Sequence, residues 1–340
     1  MLRLLRNKRV TLLLRVGVSV GLLTWVLSRV DLSSVWHFVS SASPLLFCLA
    51  FLAFFLSWST MSWQLSRTMR LHGSDFRVMT LLNISLRAFF YGFVLPGDVS
   101  AGAVKWYLLS KYGHGLRSLA AILYVRIVNL TVLMCVGLGA ILVGWPFESK
   151  ALIPLLVAAL AATVCFIVLL HTGFMGAVAK RLLALPVLPR LHQGKVKQAE
   201  EEACHVLAVF TTFPLRDIVS LFLISILYKL TVVLSMWLLA RAIRVDISYV
   251  TFLWVHSGLE LIQMLPISFS GVGVRDVALV VMLRQVDVPS SAAVAVALGC
   301  LAIRVLQVCL GGLLVLRQSL ISEQPPVGGQ APTGEESSKE

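Results

Sequence analysis

The sequence has little charge. Only 13% of its 340 residues are Asp, Glu, Lys or Arg, whereas 58% are hydrophobic and the mean hydropathy is +0.90. A water-soluble domain needs a larger charged fraction to cover its surface, so this deficit excludes an ordinary soluble globular protein. Several apolar runs reach the roughly 20 residues that a helix needs to cross a bilayer. The composition therefore predicts an all-α polytopic membrane protein.

The chain also lacks the motifs of common catalytic and metal sites. Its six cysteines lie mostly in apolar runs and form no C-x-x-C pair, so neither a disulfide framework nor a zinc site is indicated. No G-x-x-x-x-G-K-[ST] segment is present, so nothing indicates ATP hydrolysis. No arrangement of Ser, His and Asp, of metal ligands or of paired carboxylates stands out. We therefore expect no enzymatic activity, no catalytic residue, no cofactor and no metal.

The charge that is present is mostly positive, with 29 Lys and Arg against 16 Asp and Glu. Such a balance can indicate nucleic-acid binding. Here the basic residues mostly flank apolar segments, which is typical of the cytoplasmic loops of a membrane protein. We therefore expect a membrane and its lipids as partners, and no nucleic acid.

Six uninterrupted apolar stretches are long enough to cross a bilayer. They cover about residues 10–29, 44–66, 118–145, 151–171, 214–240 and 290–317. The first follows a basic N-terminus and has a poor cleavage site after it, so we read it as an uncleaved span rather than a signal peptide.

Two further apolar regions, 79–112 and 249–286, are broken in the middle. Their arms are short for a span and typical of re-entrant hairpins, which enter and leave the membrane on one side. A proline removes a backbone hydrogen bond and a glycine permits a sharp turn, and in lipid the freed backbone groups require protein or a water-filled cavity. The residues predicted to form these breaks are Pro96, Gly97, Pro266, Gly271 and Gly273.

The distribution of Lys and Arg orients the chain. It predicts that both termini and residues 67–78, 111–117 and 172–213 are cytoplasmic, whereas 146–150 and 241–248 are external. The linker at about 172–213 contains amphipathic stretches, and it is either an interfacial helix pair or an ordinary solvated linker.

The same composition predicts the domain organisation. We expect a single transmembrane domain over 1–320 and a disordered cytoplasmic tail over 321–340, which is rich in Pro, Gly, Glu and Ser.

The two halves of this domain, about 10–145 and 151–317, read as an internal repeat. The hairpins share L-P followed by Ser four residues and a V-[KR] pair eight and nine residues after the proline, ending at Lys105 and Arg275. The next spans share a basic residue, Arg126 and Arg304, within apolar sequence. Each unit has three crossings, an odd number, so two units in series must have opposite topology. Inverted repeats with broken helices are typical of secondary transporters, whose site lies near mid-membrane.

Charged residues inside apolar segments are costly and usually functional. Basic groups outnumber acidic ones among them, which suits a phosphate group because Arg binds phosphate bidentately. Internal salt bridges or snorkelling towards an interface are the structural alternatives. We expect Asp276 or Glu260 to hold Arg275 in place when no lipid is bound. The candidate substrate-binding residues are Arg275, Arg304, Arg126, Lys105, Arg87, Asp276 and Glu260.

His256 and Glu260 lie four residues apart on one helix face. They can relay protons, although a histidine satisfied in the protein interior is the more common arrangement.

The second break reads LPISFSGVGVRD from Leu265 to Asp276 and resembles the LPIS-x-x-G-x-GVRE-like segment of the lysylphosphatidylglycerol synthase transmembrane-region, or flippase-like, family. The first break, LPGDVSAGAVKWY from Leu95 to Tyr107, is similar to that family's LP-x-x-x-x-G-G-x-x-[RK]-x-Y segment. The chain departs from the pattern at Asp276, where Glu is usual, and at Gly102, where many members carry an acid.

The resemblance covers about residues 10–317 and implies translocation of lipid between leaflets. In multidomain relatives a soluble C-terminal domain adds an amino acid to phosphatidylglycerol, and we expect that enzyme to be absent here. The expected partner is an anionic phospholipid or a polyprenyl-phosphate-linked lipid, in a bacterial inner membrane. A membrane-embedded transferase acting on a lipid-linked sugar and a non-catalytic partner of a cell-envelope enzyme are the alternatives.

Overall fold

A computed structural model describes residues 41–94, 100–113, 115–144, 152–174, 206, 208–264 and 274–321. The predicted first span, the tail and most of the linker therefore lie outside the described residues. The long elements of the described part are helices, which we number α1 Pro44–Leu71, α2 Val78–Val94, α3 Ser100–Ser110, α4 Gly115–Gly144, α5 Leu152–His171, α6 Leu215–Ala242, α7 Tyr249–Met264, α8 Val274–Arg284 and α9 Ser290–Ile321.

Four of the described helices are long and apolar enough to cross a membrane: α1, α4, α6 and α9. They coincide with four of the predicted spans. Helix α5 matches the predicted span at 151–171 and contains a shorter apolar stretch, Val157–His171. The protein is therefore a multi-pass, all-helical membrane protein.

The longest helix contact joins α1 to α6, and the two run antiparallel. The Ser43 amide donates to the Ala242 carbonyl at one end of the pair. At the other end Arg67 Nη2 lies 2.8 Å from Asp217 Oδ1. Ser235 Oγ also donates to the Ala50 carbonyl between these points. Backbone carbonyls that accept from buried hydroxyls fix the two helices at close range without exposing a polar group to lipid.

The shorter helices form two similar pairs, α2–α3 and α7–α8. Helices α2 and α3 have 17 and 11 residues, and α7 and α8 have 16 and 11. At 1.5 Å per residue, none reaches the roughly 30 Å of a hydrocarbon core. A Cβ atom added to Gly92 would lie 2.6 Å from the Ala101 Cβ. Glycine at this position therefore lets α3 pack tightly against α2.

Each half of the chain packs a long helix on a short helix of the other half. Helix α9 lies on α2, where a Cβ atom at Gly311 would overlap the Leu86 carbonyl oxygen. Helix α7 lies on α4, where Ser257 Oγ donates to the Leu133 carbonyl at 3.1 Å. Each half therefore contributes one long and one short helix to these two contacts.

One end of the bundle is closed by aromatic side chains. Tyr124 stacks on Phe210 at a centroid distance of 5.0 Å, and its hydroxyl lies 3.1 Å from His171 Nε2. His171 Nδ1 in turn lies 2.7 Å from the Phe210 carbonyl oxygen. The end of the linker is thereby packed against α4 and α5. The rest of the predicted amphipathic linker lies outside the described residues.

Candidate functional site

A cavity of about 380 Å³ opens between the helices of both halves. Helices α1 to α4 and α6 to α9 all contribute to its wall. Five of the residues that the sequence singled out for substrate binding line it: Lys105, Arg126, Glu260, Arg275 and Arg304. These side chains come from five different helices, so the fold brings together charges that are far apart in sequence.

The cavity lies near the middle of the long helices. Lys229 is the 15th of the 28 residues of α6, and Ser57 is the 14th of the 28 residues of α1. Arg126 and Arg304 line the same cavity from within α4 and α9, away from the ends of both helices. A polar site at this depth matches the mid-membrane position typical of transporters.

The charge of the cavity wall is strongly positive. Among the described residues, five Lys or Arg side chains and one acid line it. The basic residues are Lys105, Arg126, Lys229, Arg275 and Arg304. Such an excess at membrane depth attracts an anion, because few carboxylates are present to neutralise it.

The acid is Glu260, which pairs with two groups. Its Oε1 lies 2.8 Å from Lys229 Nζ and 3.2 Å from His256 Nε2. Lys229 is 2% exposed and Glu260 25% exposed at the side chain, so the carboxylate faces the cavity more than its partner does. Neither ring nitrogen of His256 forms a hydrogen bond of good geometry among the described residues, so the 3.2 Å approach of Nε2 to Glu260 is a close contact rather than a hydrogen bond.

The first turns of α3 and α8 reach the cavity wall. Helix α3 begins at Ser100 and contributes Gly102, whereas α8 begins at Val274 and contributes Arg275. The N-terminus of a helix carries partial positive charge and unpaired amides. Both helices therefore add to the positive potential of the cavity.

Arg275, Asp276 and Arg304 form a buried group on α8 and α9. All three lie within electrostatic range of Cys300, and each is at most 9% exposed. Asp276 does not line the cavity, whereas both arginines do. The acid therefore lies outside the cavity wall, whereas the two arginines form part of it.

Arg87 lies elsewhere. It is 7% exposed in α2 and is not part of the cavity wall. Its Nε atom has no hydrogen-bond partner in the part of the chain that the structure describes. The structure therefore does not place Arg87 in the cavity wall with the other basic candidates.

One side of the cavity is apolar and aromatic. Trp58 and Phe89 meet edge to face at a centroid distance of 5.1 Å, and Phe54 and Met61 line the wall beside them. A cavity with a basic wall and an aromatic wall suits an amphipathic ligand, whose polar and apolar parts need different surroundings.

Lys229 is the cavity residue that the sequence analysis missed. It is a single charge within the apolar sequence of α6, the same signal that identified Arg126 in α4. Asn129, Tyr228 and Gln263 also line the cavity, and they carried no sequence signal because polar residues are common in membrane helices. The five residues predicted to form the helix breaks lie outside the described residues.

These features define a multi-pass membrane protein with a basic cavity at mid-depth. The model of the lysylphosphatidylglycerol synthase TM region matches residues 12–311, and the chain belongs to that family. No other domain was matched in the chain. None of the curated proteins compared with the chain matches it.

Proposed function

We propose that the protein is a flippase-like transporter that moves an anionic lipid or lipid-linked headgroup between the leaflets of a bacterial inner membrane. The observation that carries this proposal is the cavity lined by five basic side chains and one acid. The headgroup sits in the cavity, and the acyl or prenyl tails remain in lipid. The protein acts as a transporter and not as an enzyme.

The proposal includes an inverted repeat, in which α1 to α4 correspond to α6 to α9. The corresponding helices α1 and α6 run antiparallel, which is what two units of opposite topology require. The short helix pairs α2–α3 and α7–α8 are re-entrant hairpins in this scheme, because neither pair has an arm long enough to span the membrane. The reciprocal contacts of α2 with α9 and α7 with α4 support the same relation.

The proposed orientation places the aromatic end of the bundle in the cytoplasm. Residues 67–78, 111–113, 115–117 and the described ends of the linker lie at that end, where Arg67 pairs with Asp217. Labelling of single cysteines in a cysteine-free background tests this orientation, and external labelling of residues 111–117 would contradict the first hairpin.

Reconstitution into liposomes tests the function. The purified protein is inserted into vesicles that contain fluorescent phosphatidylglycerol or, separately, a labelled polyprenyl phosphate, without nucleotide. We expect translocation that depends on the protein, measured by quenching of the label in the outer leaflet. Formation of a covalently changed lipid would instead indicate a membrane-embedded transferase, and no activity with either lipid would favour a non-catalytic partner of another enzyme.

A further inference from the structure

Glu260 occupies a place in the cavity that an anionic headgroup would also seek. Its carboxylate lies 2.8 Å from the Lys229 ammonium, and it is the one acid among the described residues of the cavity wall. A phosphate oxygen that approaches Lys229 must therefore compete with Glu260 for the same donor. The Glu260 carboxylate thus occupies a position that the headgroup phosphate would otherwise take.

The surroundings of Glu260 determine whether its carboxylate can stay charged after it loses Lys229. Helix α7 supplies His256 at 3.2 Å, α6 supplies Tyr228 beside Lys229, and α8 supplies Arg275. The other charged side chains that face the cavity from α3, α4 and α9 are Lys105, Arg126 and Arg304. A phosphate that takes the Lys229 hydrogen bond removes the close cation from Glu260, and a carboxylate at membrane depth without a hydrogen-bonded cation favours its neutral form even where other cations face the cavity.

We propose that the headgroup phosphate displaces Glu260 from Lys229 and that the Glu260–His256 pair takes up one proton as it does so. This inference rests on the proposed function and adds proton coupling to it. The Lys229 ammonium exchanges its hydrogen bond to Glu260 for one to a phosphate oxygen, and the proton comes from water. The headgroup adds one negative charge and the proton one positive charge, so the net charge of the cavity is unchanged.

As a consequence, the transporter binds its lipid and one proton together. The side with more protons favours the loaded state, because binding and protonation are linked. A proton gradient across the membrane can then drive the lipid in one direction without nucleotide. The 3.2 Å contact to His256 gives the proton a place on the pair while the lipid is bound.

Calorimetry of the full-length protein in a neutral detergent tests the proposal. The probe is dihexanoylphosphatidylglycerol, a soluble phosphodiester that does not itself titrate near neutral pH. Binding heats in two buffers of different ionisation enthalpy give the number of protons taken up, which we expect to be about one per lipid. Geranyl phosphate serves as a second probe, and the tighter binder distinguishes a phospholipid from a prenyl phosphate source.

Glu260→Gln is the informative variant. It removes the competing charge, so we expect about tenfold tighter binding of dihexanoylphosphatidylglycerol and proton uptake close to zero. Asp75→Asn is the matched control, because it neutralises an acid that is 78% exposed at the side chain and is not part of the cavity wall. It should keep the proton uptake of the original protein. If Glu260→Gln does not fold, Lys229→Gln combined with Glu260→Gln removes both charges and should also abolish the uptake.

The outcomes separate the inference from the function on which it rests. Binding without proton uptake by the original protein would overturn the coupling and leave the transport proposal intact. Uptake that persists in a folded Glu260→Gln variant would also overturn it, because another group would then take the proton. A folded protein that binds neither probe would overturn the proposed function and the coupling together.

Discussion

The basic residues of the cavity are held differently in the two halves of the chain. Arg126 is exposed and Lys105 partly exposed, and among the described residues neither forms an ion pair. Among the residues described over 41–94, 100–113 and 115–144, the acid is Asp75, which pairs with Arg70. In the second half Arg275 and Arg304 are buried beside Asp276.

This difference assigns different tasks to the halves. An exposed cation without an internal partner keeps its attraction for an external anion. A buried cation next to an acid is held in position, and its loss leaves the acid uncompensated. We therefore expect the first half to attract the headgroup and the second half to fix it.

Arg275→Ala should have the largest effect on lipid binding. It removes a charge-assisted contact worth about 1.5–3 kcal/mol, or roughly ten- to hundred-fold in Kd. Arg275→Lys keeps the charge but loses the planar fork, so it should recover only part of the affinity. Lys105→Ala, which removes the basic residue that α3 contributes to the cavity, should weaken binding by a smaller factor. The measurement is titration of each purified variant with dihexanoylphosphatidylglycerol.

The control for this series is Arg284→Ala, which removes an exposed arginine at the other end of α8. It should bind like the original protein. Undiminished binding of the lipid by a well-folded Arg275→Ala variant would contradict the proposed role of Arg275 in binding. Equal losses at Lys105 and Arg275 would remove the contrast between the halves.

Much of the fold could be predicted from the sequence because bilayer thickness imposes a length on apolar segments. Four predicted spans correspond to α1, α4, α6 and α9. The positions of the short helices could also be predicted, from prolines and glycines between apolar arms. Their packing could not, since close contacts such as that of Gly92 with Ala101 depend on the three-dimensional path of the chain.

Part of the cavity lining could also be predicted from the sequence. A charge within an apolar run is visible in the sequence, and five such residues line the cavity. What the sequence does not show is which charges meet. Glu260 was one of two acids expected to hold Arg275, whereas the structure pairs its carboxylate with Lys229. Arg87 carries the same sequence signal as Arg126 but lies outside the cavity wall.

Glycines in the long helices α9 and α4 have different surroundings, and this difference can be tested at the contact between α9 and α2. A Cβ atom at Gly311 would overlap a backbone oxygen, Leu86 O, which cannot move away by a rotamer change. We expect Gly311→Ala to cost about 1–3 kcal/mol of stability, as overpacking does, and to lower Tm in detergent. Gly139→Ala is the matched change in α4, where nothing lies within 4 Å. Equal Tm values for the two variants would show that the α2–α9 contact is not tight.

Arg67 of α1 and Arg241 of α6, each the last residue of a W-x-L-x-R segment that the two helices share, give a smaller contrast. Arg67 pairs with Asp217 across two helices, whereas Arg241 pairs with Asp246 five residues further along the chain. Double-mutant cycles to Gln and Asn should give about 0.2–1 kcal/mol for the first pair, because it is partly shielded from water. The second pair, with Asp246 83% exposed at the side chain, should give less. A larger coupling at Arg241 would contradict this order.

The smallest effect is expected at the ends of α1 and α6, and it depends on pH. His72 follows α1 and Ile243 follows α6, and both side chains are buried. Burial lowers the pKa of His72 below its usual value of 6.5, the hydrogen bond to the Thr68 carbonyl opposes this shift, and the positive charge of Arg117 adds to it. The unfolded chain therefore binds the proton more readily than the folded chain.

The lowered pKa of His72 sets the sign of the pH effect. The contribution of His72 to stability is fully present above about pH 6.5 and is lost as the pH falls below it. His72→Ile introduces the residue found after α6 and should make the protein less sensitive to acid. The effect of His72 protonation on stability is absent at pH 8, where the histidine is neutral in both states. The measurement is the difference in the free energy of unfolding between pH 8 and pH 5 for both proteins. If both proteins lose the same free energy of unfolding between pH 8 and pH 5, His72 is not the group that makes the folded protein sensitive to acid.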